Sequence, residues 1–335
     1  ITLASAQAEA VETATQAKVV VITGGPGTGK TTILRGILEV LEAEGLRIEL
    51  AAPTGRAAKR MFEATRRPAR PIHRLLEFVP AAGGFQRNAE RPLEADLVVI
   101  DEVSMLDVPL ARALVRALPA EARLVLVGDA DQRPSVGPGA VLKQIIGSRV
   151  VPAVRLTEVV RQAAESQIVV CAHQVNQGQR LSPPPSEGPG TAPGEVFVVE
   201  ASDGEHAARL IERMVCERIP KRYGLDPVDD VQVLAPTKRG LAGTVRLNEL
   251  LQEALNPGGE QIARRGQTLR AGDKVMQIRN DYDKEVFNGD LGRVRGLAPG
   301  PEGKASAAKL VVQFDGRMVE YAREELDQLL LAYAC

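Results

Sequence analysis

Lys18-Val19-Val20-Val21-Ile22-Thr23-Gly24-Gly25-Pro26-Gly27-Thr28-Gly29-Lys30-Thr31 is the stretch that decides the fold. Its first six residues form a short, β-branched apolar run ending in glycines, which predicts a buried parallel strand. Just downstream, Ile33, Leu34, Ile37, Leu38 and Leu41 recur at helical spacing, and Gly45 stands where a C-terminal cap belongs. Strand, glycine turn and helix are the setting in which Gly24 to Thr31, a full match to G-x-x-x-x-G-K-[ST], grips phosphate. The glycines let backbone N–H groups turn inward around the β- and γ-phosphates, and Lys30 neutralises their charge. The Thr31 hydroxyl is placed to ligate Mg²⁺ at the positive end of the helix. By itself the loop names no reaction, because unrelated NTPases share it.

Working outward, Leu46 to Ala52 reads as a second strand and Gly55 to Thr65 as a helix that Thr54 can cap. Leu97 to Ile100 and Leu124 to Val127 read as two further buried strands. Strands alternating with helices predict an α/β fold with a doubly wound parallel sheet. Residues 77–93 break that rhythm with Phe78, Gly83-Gly84 and Phe85, which predicts a protruding hairpin. Residues 181–194 are a Pro/Gly-rich loop. Val196 to Val199 and Val231 to Ala235 are strand candidates flanking a helix from Glu205 to Arg218, so a second α/β domain is expected from near residue 150. From Gly272 the period changes to 2, over Lys274–Arg279, Gly292–Leu297, Leu310–Phe314 and Met318–Tyr321, the last pair joined by the hairpin signal Asp315-Gly316. These runs predict a small antiparallel barrel.

With 335 residues the chain is expected to build more than one core. No apolar run nears the roughly 18 residues of a membrane span, and no export leader is present, so the expected location is the cytoplasm, away from membranes. Cys171, Cys216 and Cys335, like His73, His173 and His206, are too scattered for a disulfide set or a structural zinc site. A net charge of −1 excludes a uniformly basic nucleic-acid sheath. One local patch remains: Arg56, Lys59, Arg60, Arg66, Arg67, Arg70 and Arg74 against the single acid Glu63. The chain opens on Ile1 and closes at Cys335 straight after Leu329-Leu330-Leu331-Ala332-Tyr333, which reads as a piece of a longer protein.

Asp101-Glu102 follow the strand Leu97–Ile100, so both carboxylates emerge where an open parallel sheet places its ligands. Asp101 is expected to hold Mg²⁺ through water, and Glu102 to polarise the attacking water as general base. Gln132, in Gly128-Asp129-Ala130-Asp131-Gln132-Arg133-Pro134, offers an amide donor and acceptor where a γ-phosphate would lie. Pro53-Thr54-Gly55-Arg56 presents a hydroxyl and backbone amides suited to a nucleic-acid phosphate.

These segments, in this order, resemble superfamily 1 helicases, and their wording resembles the RecD-like branch: Gly-Gly-Pro-Gly-Thr-Gly-Lys-Thr-Thr from Gly24, Ala-Pro-Thr-Gly-Arg-Ala-Ala from Ala52, Asp-Glu-Val-Ser-Met from Asp101, and Gly-Asp-Ala-Asp-Gln from Gly128. Gln7 resembles the family's adenine-reading glutamine. Arg161, in Leu156-Thr157-Glu158-Val159-Val160-Arg161-Gln162, resembles the arginine that reaches the γ-phosphate from the second domain, and Val286-Phe287-Asn288-Gly289-Asp290-Leu291-Gly292 looks like the signature at the base of the family's SH3-like insertion.

The resemblance implies two RecA-like domains: residues 1–150, carrying 77–93 as a duplex-splitting pin, and 151–271. An SH3-like barrel at 272–328 would hold the single strand, and 329–335 would form a strand returning to the second domain. It further implies ATP and Mg²⁺ as cofactors, with Lys30, Asp101, Glu102, Gln132 and Arg161 in catalysis. Gln7, Gly25, Gly27, Thr28, Gly29, Lys30, Thr31, Thr32 and Arg161 would bind nucleotide, and Thr31 and Asp101 the metal. Pro53, Thr54, Arg56, Lys59, Arg60, His73, Thr237, Lys238 and Asn288 are the expected nucleic-acid contacts. The implied protein is a monomer that moves 5′ to 3′ on single-stranded DNA, unwinds at ss/ds junctions and touches no membrane. The family's later motifs, a His-Lys-x-Gln-Gly segment and a second γ-phosphate arginine, are missing before Cys335. That absence leaves a second reading, a nucleotide- and ssDNA-binding fragment with little turnover. An RNA-directed relative is a third, because the two-domain motor is shared and these motifs carry no base or 2′-hydroxyl contacts. A small-molecule kinase is disfavoured by the Gln132 segment.

Overall fold

Val19–Gly24 (β1) is buried from Val20 onward, because β-branched side chains on both faces must be covered before such a strand is stable. In the computed structural model, which describes residues 4–79, 83–158, 166–181, 194–264, 267–281, 283–298 and 309–335, β1 lies inside a parallel sheet. Its neighbours are Arg123–Gly128 (β7) and Ala153–Leu156 (β8). Leu97–Ile100 (β6), Ile48–Ala52 (β2) and Ala69–Pro71 (β3) complete the order β3-β2-β6-β7-β1-β8.

Two apolar layers cover the faces. On one, Ile33, Ile37, Leu38 and Leu41 of Lys30–Ala43 (α2), with Ala10 and Ala14 of Ser5–Gln16 (α1), pack on Val20, Ile22, Val99 and Val125. On the other, Ile72, Leu76, Leu110 and Leu114 pack on Val21, Val98, Ile100 and Leu126. The Thr54 hydroxyl accepts from Ala57 N–H at 3.2 Å and caps Gly55–Thr65 (α3). Phe78–Val79 (β4) and Gly84–Phe85 (β5) pair antiparallel, so the sequence break near residue 77 is a hairpin. Its ends are pinned by the Arg87–Glu77 ion pair at 2.8 Å.

The chain divides into two compact units, Ile1–Val198 and Val199–Cys335, so the first reaches well past the boundary expected at residue 150. The reason is β8, which follows that boundary yet ladders onto β1 as the edge of the first sheet. Val196–Val199 forms no strand, and Phe197, Val198 and Val199 are each about half exposed. Without a ladder partner, the backbone of this half-exposed run is left to solvent and stays irregular.

In the second unit, a helix over Gly204–Arg213 continues through a π turn at Met214–Arg218 into Ile219–Tyr223, and Thr244–Leu255 packs beside it through Leu247 and Leu251. Val233 touches Ala334 as an isolated parallel bridge. The rest is antiparallel: Arg317–Tyr321, Lys309–Phe314, Leu291–Ala298, Lys274–Gln277 and Leu329–Leu331, in that spatial order. Asp315 and Gly316, both at positive φ, form the tight turn their sequence announced. Leu329–Leu331, expected to return to the second α/β domain, instead closes the edge of this sheet against Lys274–Gln277. Only the following Tyr333 to Cys335 run back along Val233 to Ala235. Among the described residues no helix is long and apolar enough to cross a membrane.

Candidate active site

The loop between β1 and α2 takes its shape from two glycines. Gly27 and Gly29 have φ of 74° and 82°, which L side chains adopt only under strain, and together they turn the backbone amides toward one concavity. Lys30 folds back over that concavity, where its Nζ donates to the carbonyls of Gly24 at 2.6 Å and Gly25 at 2.9 Å. The Thr28 hydroxyl donates to the Gly25 carbonyl at 2.9 Å and is buried. Thr31 is exposed and Thr32 half-buried at the start of α2. Gln7, on α1, is buried against the loop: its amide donates to the Thr28 carbonyl at 3.3 Å, and its Oε1 accepts from Ala4 N–H at 3.1 Å.

The carboxylates leave the sheet beside this loop. Asp101 Oδ1 accepts from the Glu102 N–H at 2.8 Å. Burial pushes the Asp101 carboxyl above the usual aspartate range, against the pull of that hydrogen bond and of the Lys30 charge. Glu102 is also pushed up, first by burial and then by the Asp101 charge, with Lys30 and Arg60 opposing and Asp129 adding. Its φ of 54° places it in the left-handed region, a strained setting for a glutamate. Lys30, Asp101, Glu102, Arg60 and Asp129 therefore share one electrostatic neighbourhood.

Asp129, buried at the end of β7, accepts from the Asp131 N–H at 3.0 Å and shapes the next loop. Gln132 is exposed on that loop, lining a depression with Ser104, Asp129, Pro134 and Lys143. Arg161 lies outside the described residues. Thr31 and Asp101 offer hard oxygen donors, and among the described residues no cluster of three or more His, Cys, Asp or Glu could hold a metal ion. That donor set fits Mg²⁺, which is ordinarily completed by phosphate and water rather than by a protein cage.

The expected nucleic-acid residues divide between the two units. Arg56, Lys59 and Arg60 are exposed on α3, and elsewhere in the basic patch Arg67 pairs with Glu42 and Arg70 with Glu49. His73 is half-buried, its ring 5.6 Å from both Phe78 and Phe85. Burial holds its pKa down, with Asp107 partly countering. In the second unit Thr237, Lys238 and Asn288 are exposed.

Sequence reasoning missed one neighbour of the loop. The His173 ring lies over Gly25, so close that a Cβ there would meet Cε1 at 3.1 Å. No local pattern marked it, since the contact joins segments far apart in the chain.

Two family models match, the AAA domain over residues 7–138 and the SH3 domain of ATP-dependent RecD-like DNA helicases over residues 247–314. The ATP-dependent RecD2 DNA helicase of Deinococcus radiodurans is 38% identical over 332 residues, spanning 99% of this chain and 42% of that protein. The RecBCD enzyme subunit RecD of Mycobacterium tuberculosis is 32% identical over 330 residues, 86% of this chain and 55% of its own length. The chain thus spans about half the length of these relatives. Among solved structures, a Bacteroides Pif1 helicase in complex with ADP-AlF3 and ssDNA matches with a TM-score of 0.54 at 19% identity, over 100% of this chain and 82% of that one. This likeness shows a shared fold. An AAA domain alone would leave the chain among many NTPases, and it is the RecD-specific SH3 domain behind it, in a chain aligned over nearly its whole length with a RecD2 helicase, that marks it as RecD-like.

Proposed function

We propose that this chain is the motor core of an ATP-dependent DNA helicase that moves 5′ to 3′ along single-stranded DNA and parts the duplex at ss/ds junctions, acting as a cytoplasmic monomer. The observation that carries the reading is the shared neighbourhood of Lys30, Asp101 and Glu102 at the carboxyl end of a parallel sheet. On ATP binding, the Lys30 ammonium exchanges the Gly24 and Gly25 carbonyls for the β- and γ-phosphates. Thr31 and Asp101 hold Mg²⁺, which supplies charge neutralisation at the phosphates. Glu102, held up by burial, is a stronger base than a solvated glutamate, and takes the proton of the water that attacks the γ-phosphorus as the bond to ADP breaks. Gln132 and Arg161 complete the contacts to the terminal phosphate, and Gln7 reads adenine beside the loop it touches.

For DNA, the exposed Arg56 and Lys59 of the first unit and Thr237, Lys238 and Asn288 of the second supply phosphate contacts, and the Phe78–Phe85 hairpin supplies the pin. The 5′ to 3′ direction rests on the RecD-like resemblance. The deciding experiment measures ATP hydrolysis with and without single-stranded DNA, then unwinding of duplexes with a 5′ or a 3′ tail, with an RNA competitor of the same sequence. Stimulation by DNA and preference for the 5′ tail are expected. Hydrolysis indifferent to single strands would remove the motor reading, and stronger competition by RNA would reassign its substrate.

A further inference from the structure

We propose that His173 is a further nucleotide-contacting residue, which donates a hydrogen bond from its imidazole Nε2 to the terminal phosphate of bound ATP; this rests on the ATP reading above. His173 sits on Gln167–Asn176, a helix of the first unit outside the segments that resemble known motifs. A Cβ on Gly25 would lie 3.1 Å from its Cε1 and 3.9 Å from each ring nitrogen, so a side chain at this position would press on the ring and the glycine lets it lie close.

The same Gly25 carbonyl receives the Lys30 Nζ at 2.9 Å. Imidazole, loop and ammonium are thus consecutive neighbours. In loops of this kind the lysine serves the β- and γ-phosphates. Lys30, folded back to the loop's first residues, therefore marks its γ end, and His173 stands at that end.

The second observation is independent of the first. His173 Nε2 is buried and has no hydrogen-bond partner among the described residues. Buried polar atoms in folded proteins are almost always bonded, and an exception needs a reason. Structural packing alone gives none: on this helix Cys171 is the buried residue, while His173 is half-buried and turned to the phosphate loop. A phosphate oxygen drawn in by Lys30 gives Nε2–H a charged acceptor, and no proton changes hands. Because only a triphosphate reaches this end, the contact discriminates ATP from ADP.

The test measures affinities of the purified chain for a fluorescent non-hydrolysable ATP analogue and for the matching ADP, with Mg²⁺, in wild type and in His173→Ala, His173→Phe and His173→Asn. Phenylalanine fills the space without a donor, asparagine restores a donor, and melting curves check folding. Loss of a hydrogen bond to a charged group predicts about ten-fold or more weaker triphosphate binding for Ala and Phe, an ADP affinity within about two-fold of wild type, and partial recovery for Asn. Equal losses for both nucleotides, or no loss at all, would overturn the assignment. Wild type binding neither nucleotide, or binding both unchanged by Lys30→Ala, would instead sink the ATP reading and this proposal with it.

Discussion

Lys30→Ala separates a nucleotide site from a loop that merely has its shape, and its effect can be worked through in two steps. Without nucleotide, the substitution removes Nζ bonds to Gly24 at 2.6 Å and Gly25 at 2.9 Å. Hydrogen bonds to charged groups contribute about 1.5–3 kcal/mol each when buried, and this side chain is half-exposed, so about 1–2 kcal/mol in all is a fair discount. The first unit has 198 residues, for which each kcal/mol moves the melting temperature by about 2–4 °C. The variant should therefore melt about 2–8 °C lower. With ATP at about a hundred times its Kd, wild type gains about 2.7 kcal/mol, a rise of about 5–11 °C. The variant, lacking the cation that serves the β- and γ-phosphates, should lose nearly all of that rise. Differential scanning fluorimetry with and without Mg²⁺ and a slowly hydrolysed analogue reads both steps. A Lys30→Ala protein that keeps the full nucleotide-induced rise would refute the reasoning.

Two further predictions rest on other residues. Asp101, whose carboxyl burial pushes up, binds its proton more tightly folded than unfolded, so its contribution favours the fold in acid and is lost as pH rises through the raised value. Asp101→Asn should accordingly melt above wild type at pH 8 without nucleotide, with the gap closing toward pH 4; a gap that grows in acid would contradict the sign. Phe78 is 40% exposed and holds one corner of a three-ring cluster, 4.8 Å from Phe85 and 5.6 Å from His73. Each such ring pair contributes about 0.5–1.5 kcal/mol, so Phe78→Ala should loosen the hairpin, lowering duplex unwinding several-fold while DNA-stimulated hydrolysis persists. Equal loss of both in that assay would mean the hairpin supports the ATP site instead.

What the sequence makes legible is what local chemistry decides. Val19 to Ile22 must be a buried strand, Ile33 to Leu41 must show one face to it, and Asp315-Gly316 must turn, because in each case the determinant lies within a few residues of its effect. The same holds for Asp101 and Glu102, whose position follows from the length of the strand before them. Legibility fails where the partner is remote. Ala153–Leu156 buries only Val154 and Leu156, a two-residue alternation too short to read, yet pairing with Val21 to Gly24 makes it the edge of the first sheet. Val196–Val199 is more apolar and forms no strand, since strand formation needs a neighbour as well as a propensity. Val231–Ala235 does find a neighbour, but one as short as Tyr333 to Cys335, and it reaches no further than a single bridge at Ala334.

The candidate site divides along that line. Its glycine-rich loop and the carboxylates Asp101 and Glu102 are each announced by a strand and the residues that end it. Arg60 and Asp129 enter only through the fold, which brings their charges to bear on Glu102. His173 is the extreme case, because its ring meets Gly25 across most of the first unit, and no period, spacing or composition records that meeting. A histidine on a helix is ordinarily read from its own helix, as a surface or core residue. Here the decisive quantity is the missing side chain at Gly25, a position that a phosphate-loop reading already explains through its backbone, so the sequence offers one glycine for two requirements and reveals only the first.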